Sequence, residues 1–153
     1  MTPWQKGVAT IEELMDVGRL QRLTGVELNA IPLIERAEQQ LESAAELVHS
    51  DPLSAYILAY AATRRACTAL LAAQGIRPTA DRGHETVEKA VVAQFGGVFS
   101  RFNTLRRRRN ELEYPTSPSD FAEAEEAEKA LESARDICGN ARRIMDAGAL
   151  TKF

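Results

Sequence analysis

The stretch SDPLSAYILAYAATRRACTALLAAQG, residues 50–75, decides how the rest of the chain must fold. An acid and a proline open it. Asp51 is placed to cap a helix, and Pro52 takes the first helical position, where its missing amide hydrogen costs nothing. From Pro52 to Gln74 the residues are apolar on nearly every face until Arg64 and Arg65 interrupt them, and Gly75 closes the run. A helix that is apolar all round has to be covered on most sides. Pro52–Gln74 is therefore the expected centre of a helical domain.

The flanking sequence supplies the cover. Thr10-Ile11-Glu12-Glu13 has the spacing of a capping box, and Ile11, Leu14, Met15 and Leu23 give a short amphipathic helix ending near Thr24-Gly25. Glu27 to His49 carries Leu33, Ala37, Leu41, Ala44, Ala45 and Val48 at three- and four-residue spacing, with Pro32 making its first residues irregular. After a loop over Ile76 to Gly83, a fourth helix is expected from His84 to Phe95, and Gly96-Gly97 breaks it. The fifth runs from Val98 to Glu113 and stops by Tyr114, because a residue before proline is pushed out of helical geometry. Ser117-Pro118-Ser119-Asp120 starts the sixth, which runs to about Met145. Its docking stripe is Phe121, Ala124, Leu131, Ala134, Cys138, Ala141 and Met145. No convincing strand, repeat or linker interrupts this pattern. The expectation is an all-α, up-and-down bundle of about five to six helices, one domain over 1–153 with 1–26 as an N-terminal helical extension.

Composition bounds the function. Hydrophobic residues make up 44% and charged residues 27% of the 153 residues, ordinary globular values. No stretch approaches the roughly 20 apolar residues of a membrane span, and the N-terminus lacks a signal pattern, so a cytoplasmic protein away from membranes is expected. Cys67 and Cys138 read as buried thiols rather than a disulfide or zinc pair. The two histidines and two cysteines have no metal-ligand spacing, and there is no glycine-rich phosphate loop. Neither metal nor cofactor is expected. With a net charge of -3, any nucleic-acid binding must come from a local patch.

The fifth helix carries the anomaly. At about 100° per residue, Val98, Phe102, Leu105 and Leu112 share one stripe, and Arg109 falls in its middle. Arg107 faces the opposite way, while Arg106 and Glu113 flank the apolar face. Arg107 and Arg108 read as a solvated basic surface. Arg109 points at the core, a cleft or a partner, where an unpaired guanidinium costs several kcal/mol. Two readings follow. Arg109 forms an internal ion pair, with Glu113 or an acid of the sixth helix, or it grips a phosphate, which its planar fork suits.

The segment Leu105-Arg106-Arg107-Arg108-Arg109-Asn110-Glu111-Leu112-Glu113-Tyr114-Pro115 resembles the signature of HEPN domains, small helical bundles of toxin–antitoxin, phage-defence and RNA-processing systems. Their motif is an arginine, often followed by asparagine, then a histidine about four to six residues on, near the end of a helix. An alanine-rich helix ending in Leu-Leu-Ala-Ala-Gln-Gly, a loop and a Gly-His-Glu helix start add to the likeness, which spans roughly Glu27 to Met145. Members with the complete motif are metal-independent endoribonucleases, usually homodimers with one composite cleft. The resemblance implies Arg109 as phosphate ligand, Asn110 as the residue that orients it, and Arg106, Arg107 and Arg108 on the RNA backbone. Here the motif histidine is replaced by Tyr114, and no histidine follows. Tyr114 or Glu113 would then serve the cleft as hydrogen-bonding group or base, or the domain binds RNA, a nucleotide or a protein without catalysis. An antitoxin or a nucleotidyltransferase, the latter acting on a tyrosine such as Tyr114, is the implied partner.

His84, beside Arg82 at a helix start, is either a capping or packing residue or part of an anion site. His49 is expected on the last carbonyls of the second helix. Glu123, Glu125, Glu126 and Glu128 read as a solvated face suited to a helix N-terminus, or as partners of the arginine run. Tyr56 and Tyr60, one turn apart, read as core with hydroxyls reaching an edge partner.

Overall fold

The computed structural model describes residues 3–23, 29–80 and 82–153. The central helix α3, Pro52–Ala73, forms as its sequence requires. Asp51 accepts a hydrogen bond from the Ser54 amide at 3.1 Å, and Pro52 opens the first turn. Ala59, Ala62, Ala66, Cys67, Ala69, Leu70 and Leu71 are wholly buried. Helices α2 (Ala30–Leu47) and α6 (Ala124–Asp146) make the main contacts with α3, and α4 (Gly83–Phe95) and α5 (Arg101–Glu113) pack on it too. A short α1, Val8–Asp16, rests against α4. Gly7, left-handed at φ 77°, lets it do so, because a side chain there would meet the Ala93 carbonyl oxygen at 2.6 Å. Ile11, Leu14 and Leu20 belong to the same core as α3, so the N-terminal segment contributes to one hydrophobic interior.

Several expectations are corrected. A two-stranded antiparallel ribbon pairs β1, Leu20–Arg22, with β2, Ile76–Pro78. Three residues are too few to show the alternation that betrays a strand, and the partners lie far apart in sequence. Thr10 does not cap α1, which starts at Val8 with no side-chain cap. The close approach to α4 sets that start instead. Asp120 does not start α6. Its carboxylate accepts from the amides of Thr116 at 2.9 Å and Ser117 at 3.0 Å, closing a local turn, and the helix begins at Ala124. Phe121, left in that connection, is 65% exposed rather than docked. Ala45 is exposed, and Gly97–Ser100 is a 3₁₀ turn ahead of α5. His49 sits 3.3 Å from Glu128 on α6 rather than on its own helix's carbonyls. The expected helix limits at Thr24-Gly25 and Glu27 lie outside the described residues.

The two cysteines are as expected. Cys67 and Cys138 are buried free thiols, and burial raises the pKa of both. Among the described residues no helix is long and apolar enough to cross a membrane, and no group of residues could hold a metal ion.

One polar pair inside the core fixes α4 against the end of α3. Gln74 and Gln94 are wholly buried and bond each other reciprocally, at 2.6 and 3.0 Å. Replacing one strands the other's amide away from water. Gln94→Leu is expected to lower stability by about 1–3 kcal/mol, with much of it restored in the Gln74→Leu/Gln94→Leu double variant. Urea denaturation of the three variants checks this.

A candidate phosphate site where α3, α4 and α5 meet

Helix α5 buries Phe102, Leu105 and Leu112 and so turns Arg109 inward, as the stripe predicts. The Arg109 side chain is 25% exposed. Its Nη2 lies 2.8 Å from Glu113, its Nη1 donates to Asn110 Oδ1 at 3.2 Å, and its guanidinium carbon stands 5.5 Å from the centre of the Tyr60 ring. Nε is buried and, among the described residues, has no hydrogen-bond partner. The ion pair with Glu113 expected under one reading is thus present, yet it leaves one donor of the fork unused.

Tyr60 extends the site to a second helix and, through it, to a third. Its hydroxyl is 2.8 Å from Nδ1 of His84, whose ring lies 5.7 Å away on the first turn of α4. Burial raises the Tyr60 pKa to about 12, against the pull of Arg64, Arg109 and Arg106. His84 shifts the other way. Burial lowers its pKa, and Arg64, Arg109 and Arg106 lower it further. The same three cations act on both rings, so His84 and Arg109 occupy one electrostatic neighbourhood although 25 positions separate them in sequence.

The four consecutive arginines have four fates. Arg106 donates through Nε to Glu88 at 2.8 Å and through Nη2 to Asn103 at 3.1 Å, with Glu85 3.9 Å away. Arg107 is exposed. Arg108, expected on a solvated basic surface, is instead locked by Glu126, Glu111, Asp120 and the Ser119 carbonyl oxygen. The hydrogen bonds it donates to Glu126 and Glu111 raise its pKa. It ties α5 to the connection before α6, because acids on both sides converge on one guanidinium. Tyr114 stands apart, 73% exposed just after α5. Glu113 is occupied by Arg109, and Asn110 is exposed with its Oδ1 on Arg109.

Of the residues singled out in the sequence, Arg109, Asn110, Glu113, Arg106 and His84 lie near one another here, although His84 read as a separate feature. Tyr60 and Arg64 read in the sequence as core and as a break in an apolar face. Their spacing of four residues on α3 was the available signal. No family model, curated protein or solved structure matches this chain.

Two outcomes follow from the geometry. Arg109→Ala removes a partly exposed ion pair together with a buried donor that lacks an acceptor and a cation close to two others. It is expected to change stability by less than about 1 kcal/mol, whereas a loss of roughly 3–5 kcal/mol would mark a purely structural pair. The second concerns pH. A histidine whose pKa is lowered by folding binds more protons when unfolded, so stability rises with pH across the interval between the two values. The contribution is complete above the usual 6.5 and is lost as pH falls from there through the folded value. Wild type should lose stability below about pH 6.5 more steeply than His84→Gln, as read by thermal melts across that range.

Proposed function

We propose that this chain is a HEPN-type protein of the toxin–antitoxin or defence kind that engages RNA around Arg109. The observation that carries the reading is Arg109 itself. It is a guanidinium held on an apolar stripe by Glu113 and Tyr60, with a buried Nε for which no described residue supplies an acceptor. A donor fork fixed in a partly desolvated setting suits phosphate oxygens. Arg64 and Arg106 add positive potential at the same place, and exposed Arg107 supplies a further contact to a nucleic-acid backbone. Glu113 aims Arg109, and Asn110 steadies it. Arg108 is left out of the binding surface because its donors are already taken.

A second reading is a non-catalytic HEPN module that binds a nucleotide or protein and partners a nucleotidyltransferase or another factor. The exposure of Tyr114 favours it, since the residue at the motif histidine's position stands in solvent rather than beside Arg109. Both readings carry the resemblance's expectation of a homodimer, and the first that of an antitoxin partner.

The test is incubation of purified protein with total cellular RNA and tRNA in EDTA, alongside Arg109→Ala. RNA binding that weakens with salt, by about 0.7 decade of affinity per decade of salt for each phosphate contact, and that drops at least about tenfold in Arg109→Ala, is the expected result. Cleavage lost in the same variant makes the protein a ribonuclease. RNA binding without cleavage keeps the first reading as a binding protein, and nucleotide binding without RNA binding selects the second. Binding of neither removes the first and leaves the second only as a protein-binding module.

A further inference from the structure

Beside Arg109, the first turn of α4 and the middle of α5 enclose a cavity of about 260 Å³, lined in part by Arg82, Gly83, His84, Glu85, Arg106 and Asn110. That is smaller than the roughly 300–1,000 Å³ of sites for drug-sized ligands. It suits one phosphorylated sugar better than a run of nucleotides. Its donors are positioned before a ligand arrives. Arg106 is fixed by Glu88 and Asn103. His84 is fixed by Tyr60 through Nδ1, which leaves Nε2 for whatever enters. Arg82, at φ 50° the one left-handed non-glycine among the described residues, leads into a helix start with no side-chain cap, so the first-turn amides there add to the set.

We propose that this cavity binds the terminal phosphate of a phosphate monoester, and that binding places a proton on His84. The inference rests on reading Arg109 as a phosphate-directed site, and it adds the ligand's class and charge state. A nucleoside monophosphate and the phosphorylated end of an RNA share that chemistry: three acceptor oxygens and close to two negative charges near neutral pH. An internal diester has one charge and fewer free oxygens.

The charges around His84 explain the coupling. Tyr60 and Arg64 face it from α3, Glu85 and Glu88 lie on its own helix, and Arg106 and Arg109 face it from α5. Burial and the three arginines disfavour a charged imidazole. A dianion offsets the arginines' field, so the imidazole takes a proton from solvent. Nδ1–H then donates to the Tyr60 hydroxyl oxygen, and Nε2–H donates to the phosphate. No bond other than these proton contacts forms or breaks.

The experiment measures binding of 5′-AMP, of one oligoribonucleotide with a 5′-phosphate or a 5′-hydroxyl, and of inorganic sulfate, at about pH 6.5 and about pH 8.5. Sulfate stays dianionic throughout, so its pH dependence reports on the protein alone. Expected are about tenfold tighter binding of AMP, of the phosphorylated strand and of sulfate at the lower pH, and loss of that trend in His84→Gln. The hydroxyl-ended strand should bind about tenfold more weakly than the phosphorylated one at the lower pH. In wild type, AMP should also raise the midpoint of the His84 ring-proton titration followed by NMR. AMP bound without RNA assigns the site to free nucleotides, and a preference for the phosphorylated strand assigns it to RNA ends. Equal affinity for both strands without AMP binding, a pH trend that survives His84→Gln, or an unmoved His84 midpoint overturns the inference. If RNA still binds through Arg109 in that case, the reading under Proposed function stands.

Discussion

Helix α3 keeps Ala59, Ala62, Ala66, Cys67, Ala69, Leu70 and Leu71 entirely out of solvent, and meeting that constraint takes most of the molecule. One neighbour covers one stripe of a helix, so a helix apolar on every face needs several neighbours. The small side chains also let those neighbours come near, because alanine adds little to the backbone cylinder. Helices α2 and α6 lie along it with matching stripes of their own, Ile34, Ala37, Leu41 and Ala44 on one and Ala127, Ala130, Leu131, Ala134, Ile137 and Ala141 on the other. The shorter α4 and α5 cover what remains, with Phe102 wholly buried and edge-on to Tyr60.

The candidate site is a consequence of that cover. Phe102, Leu105 and Leu112 must face α3, and the helical period then leaves Arg109 no free choice of direction. Where it turns inward it meets Tyr60, and Tyr60 in turn reaches His84 on the first turn of α4. Polar groups that are partly desolvated influence one another more strongly than in water. Burial raises the Tyr60 pKa and lowers that of His84, and one set of arginines pulls both downward. Arg108, one residue away, lies outside the crevice, and its acids make it part of the frame instead.

Legibility followed range. The Asp51–Pro52 start, the inward face of α5 and the stop before Pro115 were readable because each depends on residues within a turn or two. The β1–β2 ribbon was not, since its strands are three residues long and each is defined by a distant partner. The start of α6 misled for a related reason. Asp120 is a good capping residue, but its carboxylate is satisfied by Thr116, Ser117 and Arg108 and closes a turn before the helix. In the site, Arg109, Asn110 and Glu113 were legible together because they share one helix, whereas Tyr60 and Arg64 read as interior and boundary of another.

By itself the sequence determined a helical chain organised around residues 52–74, with an arginine turned into an apolar stripe, because backbone periodicity and capping are local physics. Only the tertiary structure decided which of four adjacent arginines were already occupied, that Tyr114 stands in solvent, and that His84 shares a neighbourhood with Arg109. Those outcomes depend on which helices approach one another and how closely. That is settled by burying α3, not by any spacing along the chain.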